Sequence, residues 1–269
     1  MTYSGFLLSF LGIPLLVLWL LLARDWRRGR HLPDALRQMP AWLALLVHVV
    51  LAVLYTTPWD NYLVATGVWW YDPRLVTGVT LGWVPIEEYT FFVVQTLLTG
   101  SWLIWLSMHL RAAPWPPPRR ARIRWLSAGA AGTVWVASVA ILISGWAPGT
   151  YLGLELAWLL PPIMLQLAVG AHLLWHQRRI VAAALVPPIL YLSIADAVAV
   201  SSGTWTIDPA QSMGTLLGGV LPLEELIFFT LTNSLIVFGM VLLMGTDIAF
   251  LRDVGTRLHR NSPLAHNYS

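Results

Sequence analysis

The chain has 269 residues, of which 57% are hydrophobic and only 11% charged, with a formal net charge of +3. That balance excludes a soluble globular domain and reads as an integral membrane protein, with 16 tryptophans available for the membrane interfaces. Cysteine and lysine are both absent, which removes disulfides, thiolate catalysis, cysteine-ligated zinc and a lysine-bound retinal of the seven-helix photoreceptor type.

Apolar stretches long enough to cross a bilayer, about 20 residues each, occur at roughly 3–23, 41–57, 84–108, 125–144, 150–173, 180–200 and 221–244. The first has no basic segment before it and is followed by Arg24, Arg27, Arg28, Arg30 and Arg37, so it reads as a retained span rather than a signal peptide. After the second span come Asp60, Trp69, Trp70 and the turn pair Asp72-Pro73. The third opens on Val84-Pro85-Ile86-Glu87-Glu88-Tyr89-Thr90-Phe91-Phe92, with Trp83 just before it. Arg111, Arg119, Arg120, Arg122 and Arg124 follow it, on either side of the proline-rich stretch 112–118, which reads as a stiff exposed hinge.

The fourth span has no counterpart elsewhere, whereas the last three repeat the first three. Asp60 matches Asp196, Gly67 Gly203, Trp69 Trp205, Asp72-Pro73 Asp208-Pro209 and Gly78 Gly214, all at a spacing of 136. One inserted residue then aligns the first motif with Leu221-Pro222-Leu223-Glu224-Glu225-Leu226-Ile227-Phe228-Phe229. The chain is therefore expected to be an all-α membrane bundle of seven helices: a first repeat at 1–111, a linker with an extra helix at 112–149, a second repeat at 150–246 and a cytoplasmic tail at 247–269. An odd number of helices per repeat would invert the second copy; the extra helix restores its orientation, so the repeats run parallel about an axis along the membrane normal.

Arg178, Arg179, Arg252, Arg257 and Arg260 fall on the same side as the earlier clusters, and Arg74 alone falls opposite. The positive-inside rule puts the N-terminus outside and the C-terminus in the cytoplasm, with both Glu-Glu pairs toward the outer face. The arginines sit where topology wants them, so no nucleic-acid partner is called for.

A carboxylate at membrane depth marks a functional site by default, and four of the thirteen acidic residues lie in the two motifs. With Pro85 at the first helical position, Glu87 and Glu88 take the third and fourth. The helix end favours an anion there while apolar surroundings favour the neutral acid, so two adjacent carboxyls need not titrate alike. Glu88, Phe92, Gln95 and Thr99 share one stripe, and Glu225, Phe229, Thr232 and Asn233 the equivalent one. These polar stripes are expected to face the bundle interior, making Glu88 and Glu225 the interior pair. Glu87 and Glu224 head more apolar stripes, and helix-start anions remain the plain alternative for all four.

Asp60 and Asp196 could orient or buffer the glutamates, or serve as caps. Glu155 has no partner in the first half. His48 and His172 lack metal-ligand neighbours, so no metal is expected. Trp69, Trp70, Trp83 and Trp205 cluster beside the acids, where electron-rich faces could meet a cation.

The doubled Pro-x-Glu-Glu-x-x-Phe-Phe motif, the three-helix repeat and the arginine-rich linker resemble the membrane lycopene cyclases of bacteria and archaea, which occur as two small subunits or as one fused chain. The resemblance runs from the first helix to the seventh. It implies an isomerase of carotenoid biosynthesis that turns the ψ-ends of lycopene into β-rings, giving γ-carotene and then β-carotene. It further implies Glu87, Glu88, Glu224 and Glu225 as catalytic, Asp60, Asp196, Gln95 and Asn233 as supporting, and Phe91, Phe92, Phe228, Phe229, Trp69, Trp83 and Trp205 as substrate-binding. The partners would be lycopene, membrane lipid and other carotenoid-pathway enzymes.

The residues suit that chemistry, which needs a neutral carboxylic acid in an apolar site, shielding of the cation and a base. No dinucleotide fingerprint follows a strand, and no flavin or nicotinamide is expected. Three alternatives stand beside this reading: cyclisation of C50 carotenoids or formation of ε- or γ-rings, proton-coupled transport, and prenyl transfer. Transport places its carboxylates at a repeat interface too but favours helices broken at mid-membrane. Prenyl transfer wants aspartate clusters, and Asp60 and Asp196 stand alone.

Overall fold

The computed structural model describes residues 1–114 and 120–245; part of the proline-rich hinge and the whole expected tail, with Arg252, Arg257 and Arg260, lie outside them. Seven helices are long and apolar enough to cross a membrane. They are α1 (Tyr3–Arg27), α2 (Ala41–Ala65), α3 (Ile86–Ser107), α4 (Ala121–Ser144), α5 (Thr150–His176), α6 (Arg178–Ser201) and α7 (Leu223–Gly245). Helix α2 runs eight residues past the expected end at 57, with Pro58 inside it. In a membrane helix such a proline is tolerated when neighbouring groups take up the freed backbone. Helix α1 contains a π-helical turn at Leu7–Gly12.

Helices α3 and α7 form the centre: each buries 56% of its most apolar window, against 11% for α2 and α4. Lipid tails are as apolar as leucine, so close packing and polar contacts must hold helices together. Two such contacts join α3 to α7. Gln95 Nε2 donates to Thr232 Oγ1 at 3.1 Å, and the Thr99 hydroxyl donates to Asn233 Oδ1. Gln95 and Thr232 are equivalent positions of the two repeats, so their bond lies on the pseudo-two-fold axis. Helices α1 and α2 flank α3 as α5 and α6 flank α7. The unmatched α4 packs on α5, tied by Trp135 Nε1 to the Ala157 carbonyl at 3.1 Å. At the opposite end from the acids, buried Asp25 receives Trp105 Nε1 at 3.1 Å and so pins α1 to α3.

Outside the helices, short strands replace the loops expected from sequence. Strand β1 (Trp69–Tyr71) pairs antiparallel with β4 (Trp205–Ile207), and the register sets Trp70 against its own repeat equivalent, Thr206. Asp72 N donates to the Thr204 carbonyl at 3.3 Å and Asp208 N to the Val68 carbonyl at 2.8 Å, a reciprocal pair that extends the ribbon across the axis. Two hairpins repeat as well: β2 (Thr80–Leu81) with β3 (Val84–Pro85), and β5 (Leu216–Leu217) with β6 (Leu221–Pro222).

These hairpins correct the register of the motif helix. Pro85 pairs with Thr80 in extended conformation and is the cap of α3, not its first residue, so Glu87 and Glu88 occupy the second and third helical positions. In the hairpin turn Gly82 has φ +70° and packs against the Asn61 side chain, leaving no room for a Cβ. Asp72 is held at about 2 by hydrogen bonds from the Arg74 side chain and backbone. With its folded value depressed, its support of that turn is complete above about pH 4 and is lost only as the pH falls toward 2.

Candidate active site

All four motif glutamates are buried, but they do different things. Glu87 Oε1 accepts the Thr77 backbone N–H at 2.6 Å, and Glu224 Oε1 accepts the Met213 N–H at 2.7 Å and the Ser212 hydroxyl at 3.1 Å. Thr77 and Met213 are repeat equivalents, so this pair braces the two connections that lead from the central ribbon back into α3 and α7. That is what a carboxylate at a helix start does best: it accepts donors that the chain would otherwise leave unpaired.

Glu88 and Glu225 instead line one narrow cavity of about 40 Å³ between the repeats. Glu88 Oε2 accepts two phenol hydroxyls, a short bond from Tyr3 and one of 2.9 Å from Tyr71. Glu225 Oε1 accepts Tyr151 at 2.7 Å. Burial, reinforced by the carboxyls of Asp60 and Glu88, holds the Tyr71 phenol well above its ordinary range, so it keeps its proton and acts as a donor. Asp196 lines the same cavity as Glu225, and its Oδ1 accepts Trp205 Nε1 at 3.1 Å. Asp60 is as buried, with both oxygens unpartnered.

The aromatic wall crosses between the repeats. Trp205 of the second packs on Tyr3 of the first with ring centroids 5.0 Å apart, and Trp69 of the first packs edge-on against Tyr151 of the second at 5.4 Å. Phe91, Phe228 and Phe229 close the membrane side, with Phe91 and Phe229 meeting at 6.4 Å and Phe228 stacked on Trp59 at 6.0 Å.

Four aromatic and amide residues expected at the site lie elsewhere. Phe92 and Gln95 line a neighbouring groove of about 200 Å³ between α2, α3, α5 and α7, which shares Phe228 with the central cavity. Asn233 is engaged inside the α3–α7 interface, donating to the Phe229 carbonyl at 2.7 Å. Trp83 is a correction: its side chain is 67% exposed at the hairpin turn, because the left-handed Gly82 turns it away from the cavity, and only its backbone N–H is used, on Asn61 Oδ1 at 2.8 Å. A second, almost wholly apolar groove of about 490 Å³ lies between α1, α3 and α6. It is the repeat equivalent of the first. Tyr55 of one and Tyr191 of the other each donate to a backbone carbonyl across the cleft, Trp158 at 2.7 Å and Phe10 at 2.8 Å.

Four site residues escaped the reading from sequence: Tyr3, Tyr71 and Tyr151, and Glu155 in the role it takes here. Glu155 is fully buried with neither oxygen partnered, close to Glu225 and Glu224. The tyrosines had a signal. Thr2-Tyr3-x-Gly5 recurs as Thr150-Tyr151-x-Gly153, but at a spacing of 148 that a search at 136 passes over. Among the described residues no three His, Cys, Asp or Glu side chains converge as a metal site.

A family model described as lycopene cyclase matches residues 1–106 and 149–243. The chain belongs to the lycopene cyclase family. Within it, a lycopene beta-cyclase of Halobacterium salinarum is 40% identical over 242 residues, which span 90% of this chain and 95% of the relative. A bifunctional lycopene cyclase/phytoene synthase of Podospora anserina is 38% identical over 71% of this chain but only 33% of its own length, and a similar protein of Colletotrichum graminicola is 36% identical over 71% of this chain. No solved structure matches. The break in the family match falls across the linker and α4, the segment without a repeat equivalent. Membership sets aside the transport and prenyl-transfer readings and makes this membrane protein an enzyme of carotenoid cyclisation.

Proposed function

We propose that this chain is a lycopene beta-cyclase whose reaction takes place in the cavity between the repeats. The observation that carries the reading is that Glu88 and Glu225, from equivalent positions of the two halves, face one aromatic-walled cavity. A carboxylic acid there protonates the terminal double bond of a ψ-end, the resulting tertiary cation is attacked by the next double bond, and a carboxylate removes a proton to leave the ring alkene. Phe91, Phe228, Phe229, Trp69 and Trp205 exclude water and offer ring faces to the cation, each worth ~0.5–2 kcal/mol. The reaction is an isomerisation, so the reading calls for no redox cofactor. The identity with the Halobacterium salinarum protein supports the β-ring outcome, and pigment analysis in a lycopene-accumulating bacterium separates it from ε- or γ-ring products and from C50 substrates.

The decisive measurement is made in heavy water. Each ring formed by protonation and deprotonation should retain one solvent deuteron at the protonated carbon, making a two-ringed product heavier by two substitutions and a one-ringed product by one. Cyclised product without solvent deuterium rules out a carboxylic-acid trigger in exchange with solvent.

Orientation follows from the arginines: the N-terminus outside, the C-terminus in the cytoplasm and the cavity toward the outer face. A reporter fused after Arg120 should score cytoplasmic and one inserted at Asp72 external; the opposite pair of scores inverts the site. Substrate and product are lipophilic and reach the cavity from the bilayer. The Podospora anserina relative joins two activities in its name, which supports other carotenoid-pathway enzymes as partners here.

A further inference from the structure

We infer, on the cyclase reading, that the two repeats divide the proton transfers: the Asp196–Glu225 pair of the second supplies the proton and Glu88 of the first takes one back. Three breaks in the pseudo-symmetry carry this.

The first is at Tyr71. Its repeat equivalent is Ile207, so Glu88 receives two phenol hydroxyls on one oxygen, from Tyr3 and Tyr71, where Glu225 receives one, from Tyr151. A buried carboxylate persists as an anion only when donors replace water, and hydrogen bonds to a charged acceptor are the stronger kind. Glu88 has that environment. The second break is at the aspartates. Asp196 lines the cavity together with Glu225, whereas Asp60, facing Glu88 from α2, is not part of the cavity wall. Two carboxyls lining one side of a small buried cavity keep a proton between them, because two anions there repel. The third is at Glu155, which stands where the first repeat has Leu7. Fully buried and without a partner, it adds a third carboxyl behind Glu225, beside Glu224. The cavity thus has a proton-rich wall and an anionic wall.

In the reaction, a proton leaves the Asp196–Glu225 pair for the terminal double bond, whose electron pair forms the new C–H bond and leaves the tertiary cation. The next double bond supplies the electrons of the ring-closing C–C bond. Glu88 then takes a proton from the carbon beside the new cation, and that C–H pair becomes the ring double bond. The pair has lost one proton and Glu88 has gained one; exchange with water restores both.

The test uses membranes carrying the full chain, given lycopene in heavy water. In Glu88→Gln the trigger still operates but the final base is missing. The cation collapses back, the lighter isotope leaves more readily, and recovered acyclic lycopene gains deuterium. In Glu225→Gln and Asp196→Asn, recovered lycopene stays unlabelled. A reversed pattern, or unlabelled lycopene from Glu88→Gln, overturns the division. Tyr71→Phe gives a second readout in case these variants insert poorly. With one donor removed from Glu88, and Tyr3, Asp60, Asp196 and Glu225 left facing it, turnover should fall about tenfold and the acid limb of its pH profile should move to higher pH. An unmoved limb overturns the assignment. Wild-type membranes that leave lycopene unchanged count against the cyclase reading itself, a different outcome from either.

Discussion

Glu88→Gln and Glu225→Gln are each expected to lower lycopene cyclisation by ~10²–10⁴-fold, the range supplied by a positioned acid or base. Glutamine matches the side chain in size, and its carbonyl can still accept the Tyr3 and Tyr71 hydroxyls or the Tyr151 hydroxyl, so the packing of α3 and α7 should survive. What it cannot do is carry a transferable proton or a full negative charge. Glu87→Gln and Glu224→Gln supply the contrast. Their Oε1 atoms accept backbone N–H groups of Thr77 and Met213, a task that an amide oxygen performs more weakly but does perform, so their losses should stay within about tenfold. Pigments extracted from a lycopene-accumulating bacterium, normalised to protein in the membrane, measure all four. Wild-type rates in both Glu88→Gln and Glu225→Gln would refute the proposed roles.

Neither half of the chain should cyclise lycopene alone, and the two halves expressed together should do so when the chain is cut within 112–118. Two of the three tyrosines at the site are capped by a tryptophan from the other half, Trp205 over Tyr3 and Trp69 over Tyr151. The β1–β4 ribbon and the Gln95–Thr232 bond likewise join one half to the other. A single half therefore has an open site and an unpaired strand edge, and activity should vanish rather than decline. The cut itself costs little. Helix α4 packs on α5, within the same fragment, and Gln177 holds Ala113 at 2.9 Å on the near side of the break. What is lost is the effective concentration that a tether provides, in the millimolar range for a short one. Activity in the co-expressed pair should accordingly rise with the level of the scarcer half. Cyclisation by either fragment alone would show that one half holds a complete site.

The seven helices were legible because a bilayer demands long uninterrupted apolar runs and leaves few other solutions. Their ends were read less well where polar residues and a proline continue a helix, as at Thr56, Thr57 and Pro58 in α2. The duplicated motif identified the acids, and the polar stripes through Gln95 and Thr232 pointed inward as they lie. The three-residue strands were hidden, since Trp69–Tyr71 and Trp205–Ile207 are too short to show an alternating pattern and become strands only by meeting each other. The tyrosines were hidden by the register of the duplication: the connection between α1 and α2, residues 28–40, is twelve residues longer than the single Gln177 between α5 and α6, so the first helices match at 148 and everything after them at 136. Trp83 was assigned to the site on nearness in sequence to Glu87, and a single glycine turn sends it the other way.

A two-fold axis between identical subunits forces every residue on it to confront its own copy. A glutamine would meet a glutamine and a threonine a threonine, and any change made on one side would be made on both. Covalent fusion lifts that rule. On the axis of this chain an amide meets a hydroxyl, Gln95 with Thr232, a complementary pair that no homodimer can place there. A symmetric ancestor with this architecture would have had interchangeable walls, so a substrate end entering it would have found no built-in direction for the reaction. Once the copies were free to drift apart, handedness in the chemistry became a property that point mutations could create. Swapping side chains between equivalent positions is then a route for re-engineering it.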